Sequence, residues 1–172
     1  MNNDIILTLK SNKENYFTGD NIEFTYTFFN NSPQFVYMLP WGGQYATNWI
    51  GIYNYQNQKL QDLPLVIYEL KFIPQKDEFI RIEPKQSHSI FIQGKIVKTM
   101  LSKFRSKDQK KYEGIFIDFD NSAVYLKEPG VFNIKAFYQG TDDWSKKGKE
   151  LYNLDNIFVG RLESNEFKIV VR

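Results

Sequence analysis

Gly19-Asp20-Asn21-Ile22-Glu23-Phe24-Thr25-Tyr26-Thr27-Phe28 is the stretch that decides the fold class of this chain. After the Gly-Asp turn, Ile22, Phe24, Tyr26 and Phe28 alternate with Glu23, Thr25 and Thr27. A period of two sends one set of side chains to a buried face and the other to water, as in an antiparallel sheet rather than a helix. The same grammar returns late in the chain. Pro129-Gly130 introduces Phe132, Ile134, Ala136 and Tyr138, alternating with Asn133, Lys135 and Phe137.

Working outward, Ile5, Leu7 and Leu9 form a first strand, and residues 21–30 form a second that ends in Asn30-Asn31-Ser32-Pro33. In that cluster the Asn and Ser side chains satisfy local backbone groups and Pro blocks continuation. Strand patterns follow at 34–39, at 49–55 with a hairpin tip at Asn57-Gln58, and at 65–72. Residues 79–83 and 87–93 flank Pro84-Lys85-Gln86 and read as a hairpin. Ile115, Ile117 and Phe119, then 123–126, and finally Phe167, Ile169 and Val171 complete the series. The segment 98–111 differs: it carries Lys98, Lys103, Arg105, Lys107, Lys110 and Lys111 against Asp108, with Met100, Leu101 and Phe104 at helical spacing. It reads as a basic, short-helical or looped insertion. The connection 139–156 is polar and reads as a loop carrying Trp144.

A chain of 172 residues suits one domain, taken here as 1–172. Short strands with turns every ~8–12 residues predict an all-β, immunoglobulin-like antiparallel β-sandwich of about seven to nine strands. A closed barrel is the competing all-β architecture. The formal charge of +2 is far from the basic excess of a nucleic-acid binder. No stretch approaches the ~18 apolar residues of a membrane span. The partner expected is therefore a protein, with neither nucleic acid nor membrane. Met1 is not followed by a signal-peptide pattern, so a cytoplasmic location is expected, or a secreted or periplasmic one if a leader was removed.

The absence of cysteine excludes disulfides, thiolate metal sites and a cysteine nucleophile. His88 is the single histidine, and neither H-E-x-x-H nor G-x-S-x-G occurs, so no catalytic residue, metal or cofactor is expected. His88 reads as a surface hairpin residue. Asp118 and Asp120 flank Phe119 and read as the solvated edge of a strand that resists aggregation.

Binding is the chemistry that remains. Pro40, Trp41, Gly42, Gly43 and Tyr45 set an indole beside two glycines between strands, and Asp142, Asp143 and Trp144 set another among polar neighbours. Trp and Tyr bury much area at small entropic cost and recur at interface hot spots. In an immunoglobulin-type sandwich the loop before the last strand lies at the same end as the loop between the second and third strands. Both tryptophan segments are therefore expected to share one surface.

Four segments resemble a known group of domains: Tyr16-Phe17-Thr18-Gly19-Asp20 with Asn30-Asn31-Ser32, then Ile82-Glu83-Pro84-Lys85-Gln86-Ser87, then Tyr125 to Phe132, then Glu163-Ser164-Asn165-Glu166-Phe167. They resemble the immunoglobulin-like domain that precedes the catalytic domain of lysine-specific metalloendopeptidases of the deuterolysin superfamily. They are also similar to bacterial intracellular proteinase inhibitors. The chain departs from them at Lys85, where the turn after Pro84 is expected to hold glycine. The resemblance implies a non-catalytic domain that sits beside, folds with or blocks a peptidase, and it carries over no functional residue. The mechanism expected is steric, with rigid loops including 40–45 and 141–145 occupying a protease cleft. Two further expectations stand beside it. One is a carbohydrate-binding module using Trp41, Trp49, Tyr53, Tyr55 and Trp144. The other is an assembly subunit pairing through an exposed edge strand.

Overall fold

The computed structural model describes residues 4–39, 50–54, 56, 58–64, 74–98, 113–119 and 122–172. The expected strand at 65–72 and nearly all of the basic segment 98–111 lie outside them.

Most strands form where alternation predicted them, and 15–16 and 61–64 add two that it did not mark. β1 (Ile5–Ser11), β2 (Asn15–Tyr16) and β3 (Asn21–Asn30) come first. β4 (Val36–Met38), β5 (Ile50–Tyr53), β6 (Gln61–Pro64), β7 (Ile80–Ile82) and β8 (Ser87–Val97) follow. The rest are β9 (Ile115–Asp118), β10 (Ser122–Lys127), β11 (Gly130–Gly140), helix α1 (Asp142–Tyr152) and β12 (Gly160–Val171). A six-stranded sheet runs β1-β3-β8-β9-β10-β6, a four-stranded sheet runs β2-β12-β11-β5, and β4 and β7 form a separate pair. The order β1-β3-β8 opposite β5-β11-β12 is that of the A-B-E and C-F-G strands of an immunoglobulin-type sandwich. The described residues already exceed the expected strand count, in part because the first edge divides between the sheets, β1 antiparallel to β3 and β2 parallel to β12. The small β4–β7 pair adds to it.

The two layers meet through the alternating residues. Ile22, Phe24, Tyr26 and Phe28 have no accessible surface. Phe24 lies 6.2 Å from Phe167 of β12, and Phe28 meets Tyr138 of β11 edge-on at 5.3 Å. Each such side chain contributes roughly 1.5–3 kcal/mol by leaving water.

Two expectations about pairing change. Residues 84–86 do not close a hairpin, because β7 pairs with β4 while β8 pairs with β3 and β9. The turn instead carries the chain between sheets. β9 is no edge either, since β8 and β10 flank it, so Asp118 sits inside the six-stranded sheet. Asp120 lies outside the described residues.

Asn30 ties this crossover. Its fully buried amide donates to Gln34 O at 2.8 Å and Ile82 O at 2.9 Å, and accepts from Ser32 N at 3.0 Å and Ser32 Oγ at 2.8 Å. Its backbone N–H reaches Gln86 O at 2.9 Å, and its carbonyl accepts from Lys85 N at 2.8 Å. Lys85 takes the left-handed conformation, φ 61, that glycine would have taken, and its Nζ donates to Asn31 O and Oδ1, each at 2.8 Å. Asn30-Asn31-Ser32 matches the N-x-S pattern of a glycosylation acceptor, but its acceptor amide is enclosed and fully bonded.

Among the described residues no helix is long and apolar enough to cross a membrane. Two substitutions test the polar bookkeeping of the interior. Asn30→Ala strands buried partners and is expected to cost about 2–4 kcal/mol by urea unfolding. Ser122 is the converse case: it is fully buried, and its hydroxyl has no partner among the described residues. Ser122→Ala is expected to be neutral or stabilising by up to ~1 kcal/mol, and a loss of stability would refute the assignment.

Candidate functional site

Of the residues expected to bind, Pro40, Trp41, Gly42, Gly43 and Tyr45 lie outside the described residues. Asp142, Asp143 and Trp144 are described, but they form the first turn of α1 rather than a loop. Thr141 starts the helix from an extended conformation, its Oγ1 accepting from Trp144 N at 3.4 Å. Asp142 and Asp143 then place negative charge at the positive end of the helix dipole. Asn153 ends the helix in a left-handed conformation, φ 54.

The helix lies flat against the sandwich end because of Gly148. A Cβ there would come within 2.3 Å of Ile157 Cδ1 and 3.2 Å of the Phe79 ring. Trp144 is half-buried beside the Leu39, Phe79 and Leu154 cluster, with Lys147 Nζ 4.9 Å over its indole. Tyr152 packs on Phe79 and donates to Pro74 O at 2.7 Å. Trp144 is thus part of the packing and not a presented anchor, which corrects the expectation of an exposed indole.

Residues 37–39 pack against the segment before β12, whereas the expected shared tryptophan surface includes 40–45, outside the described residues. Tyr37 N donates to Asn156 O at 3.0 Å and Phe158 N to Tyr37 O at 2.9 Å, joining β4 to the segment before β12. Leu39, the residue before Pro40, is buried in the cluster that Trp144 packs against. A groove of about 630 Å³ is lined by 32–36 and 156–159 together with Asp4 and Ile5. Arg81 sits 4.1 Å over the Phe35 ring, Phe35 meets Tyr37 edge-on, and Val159 stands exposed. The residues that build this groove are Phe35, Ile157 and Val159, none of which stood out in the sequence. The only advance signal was the Asn30-Asn31-Ser32-Pro33 turn that aims 32–36.

A second concavity occupies the outer face of the four-stranded sheet, bounded by Tyr53, Lys135, Phe137, Arg161, Glu163 and Glu166. There Lys135 Nζ lies 2.9 Å from Glu163 Oε2, and Arg161 donates to Glu163 Oε1 at 2.9 Å. The hydrogen bond from Lys135 holds the Glu163 carboxyl below its usual range, and the same contact raises the Lys135 ammonium.

The described residues contain no cluster of three or more His, Cys, Asp or Glu that could hold a metal ion. His88 is the second residue of β8, opposite Phe28, and is half-buried, so it is not the surface hairpin residue expected. No protein-family model matches the chain, and no curated protein matches it in sequence.

Burial pushes the His88 imidazole below its usual value. The unfolded chain then binds this proton more tightly, so stability rises with pH across the window between the depressed value and the ordinary one near 6.5. The contribution is complete above that window and fades as pH falls through it. Urea midpoints at pH 7 and pH 5 are expected to differ less for His88→Gln than for the parent chain. Equal differences would show that the ring is not desolvated.

Proposed function

We propose that this chain is a non-catalytic binding domain that engages a protein partner at the sandwich end bearing the groove between 32–36 and 156–159. The observation that carries the reading is the groove itself, about 630 Å³, whose walls are tied before any partner arrives. One wall is held by the Asn30 amide and the other by the Tyr37 bridge to Asn156 and Phe158. Walls fixed in advance lose little entropy on binding, which is how a modest surface supports useful affinity. Pro33, Phe35, Val36, Ile157, Phe158 and Val159 offer apolar contact. Asp4, Ser32, Gln34 and Asn156 add polar groups that give direction.

A peptidase is the partner proposed, with the chain acting as its inhibitor or accessory domain by steric contact. Support for that choice comes from the four segments that resemble peptidase-associated and inhibitor domains. Three of them contain the left-handed turns at Gly19 (φ 98), Lys85 (φ 61) and Lys127 (φ 71). The fourth contains a bulge in β12, where the β11–β12 register shifts between Lys135 and Phe137.

A panel of serine, cysteine, aspartic and metallopeptidases tests both parts of the reading. The chain is expected to inhibit or bind at least one class at micromolar concentration. Val159→Glu, which places a charge on the exposed rim of the groove, is expected to weaken that effect at least tenfold with no change in the unfolding midpoint. Silence across the panel would remove the peptidase, and full activity of the variant would remove the groove.

A further inference from the structure

The hollow on the outer face of the four-stranded sheet owes its existence to one irregularity. Between Lys135 and Phe137 the β11–β12 register shifts, and β12 spends an extra residue at Ser164-Asn165. Ser164 Oγ accepts from Ala136 N at 2.9 Å and donates to Asn165 O at 2.6 Å, standing in for the displaced backbone carbonyl. Bulges re-aim side chains. Here the extra residue resets the alternation, so Glu163 and Glu166 project from the same face, opposite Phe137 and Lys135 respectively.

The chemistry of this hollow is specific in kind. Two cations, Lys135 and Arg161, stand against two carboxylates, Glu163 and Glu166, so an ionic ligand of either sign gains no net attraction. Glu163 is shared between both cations, whereas Glu166 accepts no hydrogen bond among the described residues. Arg161 lies 5.2 Å over the Phe137 ring and covers it, leaving Tyr53 as the ring on which an apolar surface can rest. Fixed acceptors and donors side by side, next to an aromatic ring and without net charge, suit a ligand with adjacent hydroxyls and an apolar C–H face.

We propose that this hollow binds a neutral saccharide unit. Hydroxyls of the sugar donate to the Glu166 carboxylate and accept from the Lys135 ammonium, and the sugar's C–H face packs on Tyr53. The volume of about 280 Å³ matches one sugar ring with its hydroxyls rather than a long chain. The site is independent of the end groove, and neither reading needs the other.

Amide chemical-shift titration of the full chain with neutral cello-, malto-, manno- and chito-oligosaccharides tests this. At least one series is expected to shift amides of 133–137 and 161–166, with weak saturation on the order of 1 mM, as suits an open site. Glu166→Gln removes only charge, and it and Tyr53→Ala are each expected to weaken binding at least tenfold. Phe91→Ser, at an exposed ring on the opposite sheet, is expected to change nothing. No shift with any of the four series overturns the proposal. So does binding that survives both variants, or a charged uronic-acid oligomer that binds more tightly than every neutral one.

Discussion

One buried side-chain amide, that of Asn30, sets the shape of the grooved end of this molecule. A sandwich must pass its chain from sheet to sheet, and each passage strands backbone groups that neither ladder can satisfy. Asn30 answers for two passages at once. It holds the turn out of β3 through Ser32 and Gln34, and the turn between β7 and β8 through Ile82, Lys85 and Gln86. Because those bonds form without water, their loss leaves uncompensated donors and acceptors, and the penalty exceeds what any one of them contributes net. The direction of residues 32–36 follows from that knot, and so does one wall of the groove.

The second constraint lies at the opposite edge, in the single extra residue of β12. The bulge swings the Asn165 amide onto β1, where it accepts from Leu9 N at 2.9 Å and donates to Leu9 O at 3.1 Å. An asparagine amide carries the same donor and acceptor as a peptide group, so Asn165 serves as a one-residue strand that closes the edge of β1. The same displacement puts Glu163 and Glu166 on one outer face. Sheet closure and the composition of the outer hollow are thus two consequences of one insertion.

These devices explain what was readable in advance. Strand positions followed from alternation because burial of a pleated face repeats every second residue, as at Ile22 to Phe28. Turns were legible because their chemistry is local. Gly19 and Asp20 close theirs with Phe17 N donating to the Asp20 carboxylate at 3.0 Å, which holds that carboxyl below its usual range. Pairing between distant strands was not legible, since nothing in Pro84-Lys85-Gln86 says that β7 leaves for β4. Helix α1 was hidden for a different reason. Its inward positions are Trp144, Gly148 and Tyr152, and the middle one contributes no hydrophobic signal and lowers helix propensity. The only trace was Thr141 followed by two aspartates, a capping pattern. The groove escaped notice because Phe35 and Val159 matter by position, on walls built from sequence-distant segments.

Gly148 also decides what kind of surface the sandwich end can be. Its missing side chain lets α1 settle onto Phe79 and Ile157, so Trp144 is drawn into the packing instead of standing free. Beneath it, Tyr138 is desolvated until its hydroxyl is pushed up to about 12, and Leu39 N reaches that hydroxyl at 3.3 Å. A layer of packed rings therefore backs the connection that precedes β12. The walls at this end are held by bonds within the chain, so a partner of the kind proposed would gain affinity from complementarity to a fixed shape and not from loops that fold around it.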